Sequence, residues 1–177
     1  MPARLILLVG GARSGKSALA VRWAYALGQD QVTFLATARA EDEDMRQRIA
    51  AHRAQRPPLW TTIEAPRRVG QALEQVHHPV AVLDCLTLLV ANALMDEGPA
   101  AVQAEVTALL DAWRSWQGTL LVVTNEVGMG IVPANELART YRDVLGWANQ
   151  TVRAASDAAY LVVAGGVVRV DEPPRQP

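Results

Sequence analysis

The chain has 177 residues and a formal net charge of −1, and half of it is apolar. That size suits one domain with a sizeable core, expected over 1–170, and the composition excludes long disorder and the basic excess of a dedicated nucleic-acid binder. A single cysteine, Cys85, excludes an intrachain disulfide and a multi-cysteine zinc site and points to a reducing cytoplasm. No apolar run reaches the roughly 18 residues of a membrane span, and the run at 5–9 is too short for a signal-peptide core, so no membrane insertion is expected.

Short apolar runs alternate with amphipathic stretches. Residues 5–9 are aliphatic and closed by glycines, which predicts a buried strand. A helix is expected over 15–27, with Leu19, Trp23, Ala26 and Leu27 on one face and Gly28 at the C′ position. A second strand follows at 32–36. Residues 41–54 predict a helix with acidic groups in its first turn, ended by Arg56-Pro57-Pro58. Then come a weaker strand at 60–64, a helix at 67–76, a strong buried strand at 80–84 and a helix at 87–94. Residues 99–116 carry Val102, Val106, Leu109, Trp113 and Trp116 at helical spacing.

Another buried strand is expected at 120–124, then a glycine-bearing loop over 125–133. The long helix after it has Leu137, Tyr141, Val144, Ala148, Val152 and Ala155 on one face, and Arg139, Arg142, Asn149 and Arg153 on the other. Runs at 160–163 and 167–170, separated by Gly165-Gly166, predict a terminal hairpin, and the Pro-rich tail 171–177 is expected to fray. Strands alternating with helices predict an α/β fold with a mostly parallel central sheet flanked by helices.

Gly10-Gly11-Ala12-Arg13-Ser14-Gly15-Lys16-Ser17 matches the phosphate-loop pattern G-x-x-x-x-G-K-[ST], between an expected strand and an expected helix. Glycines let the backbone N–H groups wrap phosphates, and the helix N-terminus favours their charge. Lys16 can reach the β- and γ-phosphates, and the Ser17 hydroxyl can ligate Mg²⁺. Residues 80–84 deliver one carboxylate, Asp84, to a strand end; it is either the metal partner or a cap on the next helix. Cys85 is read as a small buried residue. The loop alone implies nucleotide binding without choosing a reaction. No N-K-x-D tetrapeptide occurs, which disfavours a GTPase switch.

His52 shares a helix face with Arg48 and stands among Arg53 and Arg56, while Met45 and Ile49 can anchor a neighbouring face. Those guanidinium groups would disfavour protonation of the imidazole and hold anionic phosphate; the residue is either set for covalent attack on phosphorus or simply a histidine on a surface helix. In loop 125–133, Gly128 and Gly130 permit close backbone approach or positive φ, and Asn125 and Glu126 stand at a strand end, either a ligand site or a capped glycine turn. Arg139 and Arg142 are ligand contacts or a solvated face. His77-His78 is read as a loop and not a metal site.

Three segments together, 10–17, Arg48-Ile49 through His52 to Arg56-Pro57, and Thr124-Asn125-Glu126-Val127-Gly128-Met129-Gly130-Ile131-Val132-Pro133, resemble the bifunctional adenosylcobinamide kinase/adenosylcobinamide-phosphate guanylyltransferase family of cobalamin biosynthesis. Leu137-Ala138-Arg139 and Asn149-Gln150 extend the likeness over about 1–170. The resemblance implies a RecA-like phosphate-loop NTPase fold and assembly as a homotrimer. It implies that His52 carries GMP covalently, that Gly10 to Ser17 bind nucleotide phosphate, and that Ala36, Thr37, Ala38, Arg53, Ala54, Gln55, Arg56, Glu64 and Asp84 contact nucleotide. At 84 many relatives carry Glu, one methylene longer.

The expected chemistry is two reactions in one domain. ATP or GTP, with Mg²⁺ on Ser17 and Asp84 and with Lys16 at the phosphates, phosphorylates the aminopropanol hydroxyl of adenosylcobinamide. His52 then attacks the α-phosphorus of GTP, releases pyrophosphate and passes GMP to adenosylcobinamide phosphate. The alternatives are another small-molecule kinase and a nucleotide-sensing binding module.

Overall fold

A computed structural model of the protein describes residues 4–170, without the side chain of Arg48. The tail 171–177 lies outside the described residues. The strands are β1 (Arg4–Gly10), β2 (Val32–Ala36), β3 (Thr61–Glu64), β4 (Val80–Asp84), β5 (Thr119–Asn125), β6 (Ala158–Val163) and β7 (Gly166–Arg169). The helices are α1 (Lys16–Gly28), α2 (Glu43–Ala54), α3 (Val69–Glu74), α4 (Leu86–Glu97), α5 (Pro99–Trp116) and α6 (Glu136–Ala155). One sheet has the order β3-β2-β4-β5-β1-β6-β7, and every neighbouring pair is parallel except β6 with β7.

The central strands read as unbroken apolar runs because both faces are covered. Leu8, Val82 and Val123 pack under α1 with Leu19, Ala20 and Ala24. Their neighbours Leu7, Leu83 and Val122 point the other way, into the larger core with Leu89, Leu109 and Leu145 of α4, α5 and α6.

The expected face of α1 is displaced. Ala26 and Leu27 are exposed, and Leu19, Ala20 and Ala24 are buried. Ala20, Ala24 and Gly28 recur every four residues, a line of small side chains that brings the helix close to the sheet. A Cβ on Gly28 would stand 2.9 Å from Val80 Cγ2, so this glycine provides close packing, while the left-handed residue after the helix is Gln29 (φ 49).

Along α6 the buried residues are Leu145, Ala148 and Val152, with Tyr141, Val144 and Ala155 partly covered. Leu137 is exposed, because the first turn runs past the core. Asn149 is turned toward the sheet rather than to solvent. The hairpin turn is Ala164-Gly165, one residue earlier than expected, with φ of 49 and 78; both central residues are left-handed, as a type I′ turn requires.

Helix α2 begins after Asp42, whose carboxylate accepts the Met45 N–H at 2.7 Å. Met45 and Ile49 are only partly covered, and none of the helix's described side chains is buried. The helix stands over the C-terminal ends of the strands as a wall.

Candidate active site

β1 runs straight into the loop that joins it to α1. At Gly10 a Cβ would lie 2.4 Å from the Val162 carbonyl and 2.8 Å from Ser14 Oγ, so only glycine fits between the sheet and the loop. Gly15 caps α1 at φ 96, the left-handed region that glycine occupies without cost. The Lys16 side chain is buried and its ammonium donates to the Gly11 carbonyl at 3.0 Å. Burial lowers the Lys16 pKa, against the opposing charges of Cys85 and Asp84. The Ser14 hydroxyl is buried with no hydrogen-bond partner among the described residues, while its carbonyl accepts the Gly165 N–H at 2.9 Å.

Asp84 ends β4, and β5 separates that strand from β1. Its carboxylate is hydrogen-bonded by Ser17 at the start of α1. Burial raises the Asp84 pKa, opposed by that bond and by the charges of His52, Arg56 and Lys16. The residue at the N-cap of α4 is Cys85, so the helix-cap alternative for Asp84 is not what the fold adopts. A carboxylate beside a hydroxyl at a helix N-terminus is an oxygen donor set that fits Mg²⁺. Burial pushes the Cys85 thiol up to about 11, which keeps it protonated at neutral pH and unsuited to nucleophilic work.

The opposite wall is α2. His52 Nδ1 lies 4.0 Å from Asp84 Oδ2, and half of the imidazole side chain is exposed. Arg56, just past the helix, lies flat over Phe34 with Cζ 3.5 Å from the ring centroid, and Nη1 reaches Thr62 Oγ1 at 3.3 Å. Burial lowers the Arg56 pKa, partly offset by Asp84.

These elements enclose a cavity of about 690 Å³, within the range that holds small-molecule ligands. Residues 12–18, Ala36, Ala38, His52, Gln55, Arg56, Glu64 and Asp84 line it. Gly10 and Gly11 shape the loop behind it. Thr37 is fully buried, with its hydroxyl exchanging hydrogen bonds with the N–H and carbonyl of Cys85, both at 2.8 Å. Arg53 and Ala54 are exposed and do not line the cavity, so of the basic residues expected around His52, Arg56 turns inward and Arg53 outward.

Asn125, expected at a strand end as a ligand site or part of a capped turn, lines the cavity; sequence reasoning missed the wall that Thr87 and Leu88 make beside it. The Asn125 N–H donates to Thr87 Oγ1 at 2.6 Å, and Thr124 Oγ1 donates to Asn149 Oδ1 at 2.7 Å. The Thr124 proton being committed, the 3.3 Å contact between the two threonines takes the Thr87 proton. Asn149 Nδ2 donates to the Asn125 carbonyl at 3.0 Å and closes a ring. The adjacent Asn149-Gln150 in the sequence was the available signal.

In the following loop the Glu126 carboxylate accepts the N–H groups of Gly128 (2.6 Å) and Met129 (3.1 Å), and neither Gly128 nor Gly130 has positive φ. Arg139 donates to the carbonyls of Pro133 and Ala134, and Arg142 pairs with Asp143. His78 Nδ1 is bonded to Thr33 Oγ1 at 2.9 Å, and no group of three or more His, Cys, Asp or Glu able to hold a metal occurs among the described residues.

The segment leading into α2 is braced from the side. Arg39 pairs with Asp96, which also receives Arg67 at 3.0 Å; Arg67 in turn reaches Glu105 at 2.8 Å. The Arg39 and Arg67 bonds pull the Asp96 carboxyl down to about 2.

A strand, a glycine loop and a helix carrying a buried lysine, with an acidic strand end across an intervening strand, define the RecA-like phosphate-loop class. Two solved structures share this fold: a flagellar accessory protein FlaH from Methanocaldococcus jannaschii (TM-score 0.52, 15% identity, 94% of this chain and 75% of that one) and a KaiC-like protein from Pyrococcus horikoshii (TM-score 0.54, 13% identity, 90% and 71%). The chain itself belongs to the cobinamide kinase/cobinamide phosphate guanyltransferase family, whose family model matches residues 6–170. It is 41% identical to the bifunctional adenosylcobalamin biosynthesis protein CobP of Pseudomonas aeruginosa, covering 90% of this chain and 92% of that one. It is 39% identical to the bifunctional protein CobU of Escherichia coli, covering 94% and 99%.

Proposed function

We propose that this protein phosphorylates adenosylcobinamide and then transfers GMP from GTP to the product, giving adenosylcobinamide-GDP and pyrophosphate, with both reactions in one domain spanning 1–170. The observation that carries the reading is that His52 and the phosphate loop line one cavity, with Asp84 between them. In the kinase reaction the backbone of 10–15, Lys16 and Ser17 hold the triphosphate of ATP or GTP, and Lys16 neutralises charge on the transferring phosphoryl group. The oxygen pair of Ser17 and Asp84 would hold Mg²⁺, which when bound supplies further charge neutralisation.

In the second reaction the α-phosphorus of GTP is attacked by His52. Nδ1 faces Asp84, which leaves Nε2 as the free nitrogen. The nitrogen–phosphorus bond forms, pyrophosphate leaves with its electron pair, and the imidazole proton is lost. A phosphate oxygen of adenosylcobinamide phosphate then displaces the histidine and takes GMP. Arg56 and Gln55 are assigned to the bound nucleotide, with Ala36, Ala38 and Glu64 on the facing strands. Thr37 acts from behind this wall by holding Cys85, and Arg53 and Ala54 would reach nucleotide only from outside the cavity. We further propose a cytoplasmic homotrimer. None of the described helices is long and apolar enough to cross a membrane. The exposed Met129, Ile131 and Val132 support burial against another surface.

Intact mass after incubation with GTP and Mg²⁺ tests the transferase. A GMP adduct is expected on the wild type and none on His52→Ala; a labelled His52→Ala would remove the histidine from this role, and an unlabelled wild type would leave only a kinase or a nucleotide sensor.

A further inference from the structure

The Asn125 carboxamide lines the cavity and makes no hydrogen bond among the described residues, yet its backbone is gripped on both sides. The ring through Thr87, Thr124 and Asn149 gives each of these side chains at least two hydrogen bonds without using that carboxamide. A satisfied polar ring is a rigid mount. What it mounts is a neutral group with one acceptor oxygen and two donor hydrogens.

The sheet fixes where that group stands. β5 lies between β1, which opens the phosphate loop, and β4, which ends in Asp84. Asn125 is level with Gly10, and Asp84 is level with Val123, so β5 carries Asn125 two residues beyond the carboxylate. By the alternation of a strand, Asn125 shares the face of Val123, which packs beneath α1. Its side chain therefore stands on the phosphate-loop side of the sheet. The walls assigned to the nucleotide, β2, β3 and α2, lie on the other side of Asp84.

We propose that Asn125 orients the acceptor alcohol for phosphoryl transfer, an inference that rests on the kinase half of the function above. Its Oδ1 accepts a hydrogen bond from the acceptor hydroxyl, and its Nδ2 donates to an oxygen of the γ-phosphoryl group. The acceptor oxygen forms the new bond to phosphorus while the bond to the β–γ bridging oxygen breaks and the nucleoside diphosphate leaves with that electron pair. The hydroxyl proton passes to a phosphoryl oxygen and from there to water. A carboxamide suits this task because it neither repels the phosphate nor competes with Asp84 for a cation. Asn149 and Thr87 are positioning residues that act through Asn125.

The test compares the wild type with Asn125→Ala and the isosteric Asn125→Asp in the full chain. Phosphorylation of adenosylcobinamide at saturating nucleotide should fall about a hundredfold in both. Affinity for ADP and GDP, which carry no γ-phosphoryl group for Nδ2 to meet, should stay within about twofold of the wild type. Near-normal phosphorylation in either variant overturns the proposal. A parallel loss of ADP and GDP affinity also overturns it, since the residue would then be merely structural. A wild type that forms the adduct but phosphorylates nothing sinks the kinase reading itself, and this inference with it.

Discussion

The backbone N–H of Gly165 donates to the carbonyl of Ser14 at 2.9 Å, so the turn of the last hairpin props the phosphate loop from outside. Gly165 sits at φ 78, where a side chain is strained, and a Cβ added at Gly15 would stand 3.5 Å from its Cα. Gly165→Val should cost about 1–2 kcal/mol of stability through the left-handed conformation alone. Because the turn moves with it, nucleotide affinity should fall several-fold. Thermal denaturation and nucleotide titration check the two together; an unchanged affinity would show that the prop is dispensable.

Gly10→Ala should be worse for the site than for the fold. The added Cβ meets the Val162 carbonyl and Ser14 Oγ, and strand backbone cannot retreat as a flexible side chain would. Overpacking of this kind costs about 1–3 kcal/mol. Nucleotide binding should be lost while circular dichroism still reports a folded chain.

Lys16→Ala should weaken nucleotide binding and lower phosphorylation by about a hundredfold or more, as expected on removing a preorganised charge from a transferring phosphoryl group. Steady-state kinetics with adenosylcobinamide would measure it, and near-normal activity would contradict the assignment of the loop.

Asp96 supplies a pH signature. Arg39 and Arg67 hold its carboxyl at about 2, below the usual carboxylate range. A depressed carboxyl adds stability that is present above its unfolded pKa and lost as pH falls from about 4 through about 2. Asp96→Asn should therefore melt slightly below the wild type at pH 7, with the difference shrinking steadily as pH falls from about 4 toward 2 and shrinking in high salt. Melting curves across that range would decide it; a difference as large at pH 2 as at pH 7 would rule out the ion pairs as its source.

The parallel strands and the strand–loop–helix junction were legible because each rests on local pattern: an aliphatic run, then glycines, then Lys16 and Ser17. His52 could be singled out only through the resemblance that residues 48–57 carry, because its spacing on a helix suits an ordinary surface histidine equally well. Arg53 and Arg56 look equivalent in sequence but separate in space, because α2 ends between them and the direction of Arg56 is set by the turn and by Phe34. Gly28 looked like a helix stop, and only the approach of Val80 and Val32 reveals it as a spacer. The ring that holds Asn125 joins α4, β5 and α6 through polar side chains with no periodicity, so only the adjacent Asn149-Gln150 points to it.

Helix α2 carries the proposed nucleophile and buries none of its described side chains. The energy that holds the fold together and the chemistry at His52 therefore reside in different parts of the molecule. Local opening of such a segment costs far less than global unfolding, so its amides should exchange with solvent well ahead of those in β4 and β5. Substitutions scattered along α2 would then pass unnoticed in a melting experiment and register only in turnover. A screen for stability alone would be blind to the element on which GMP transfer depends.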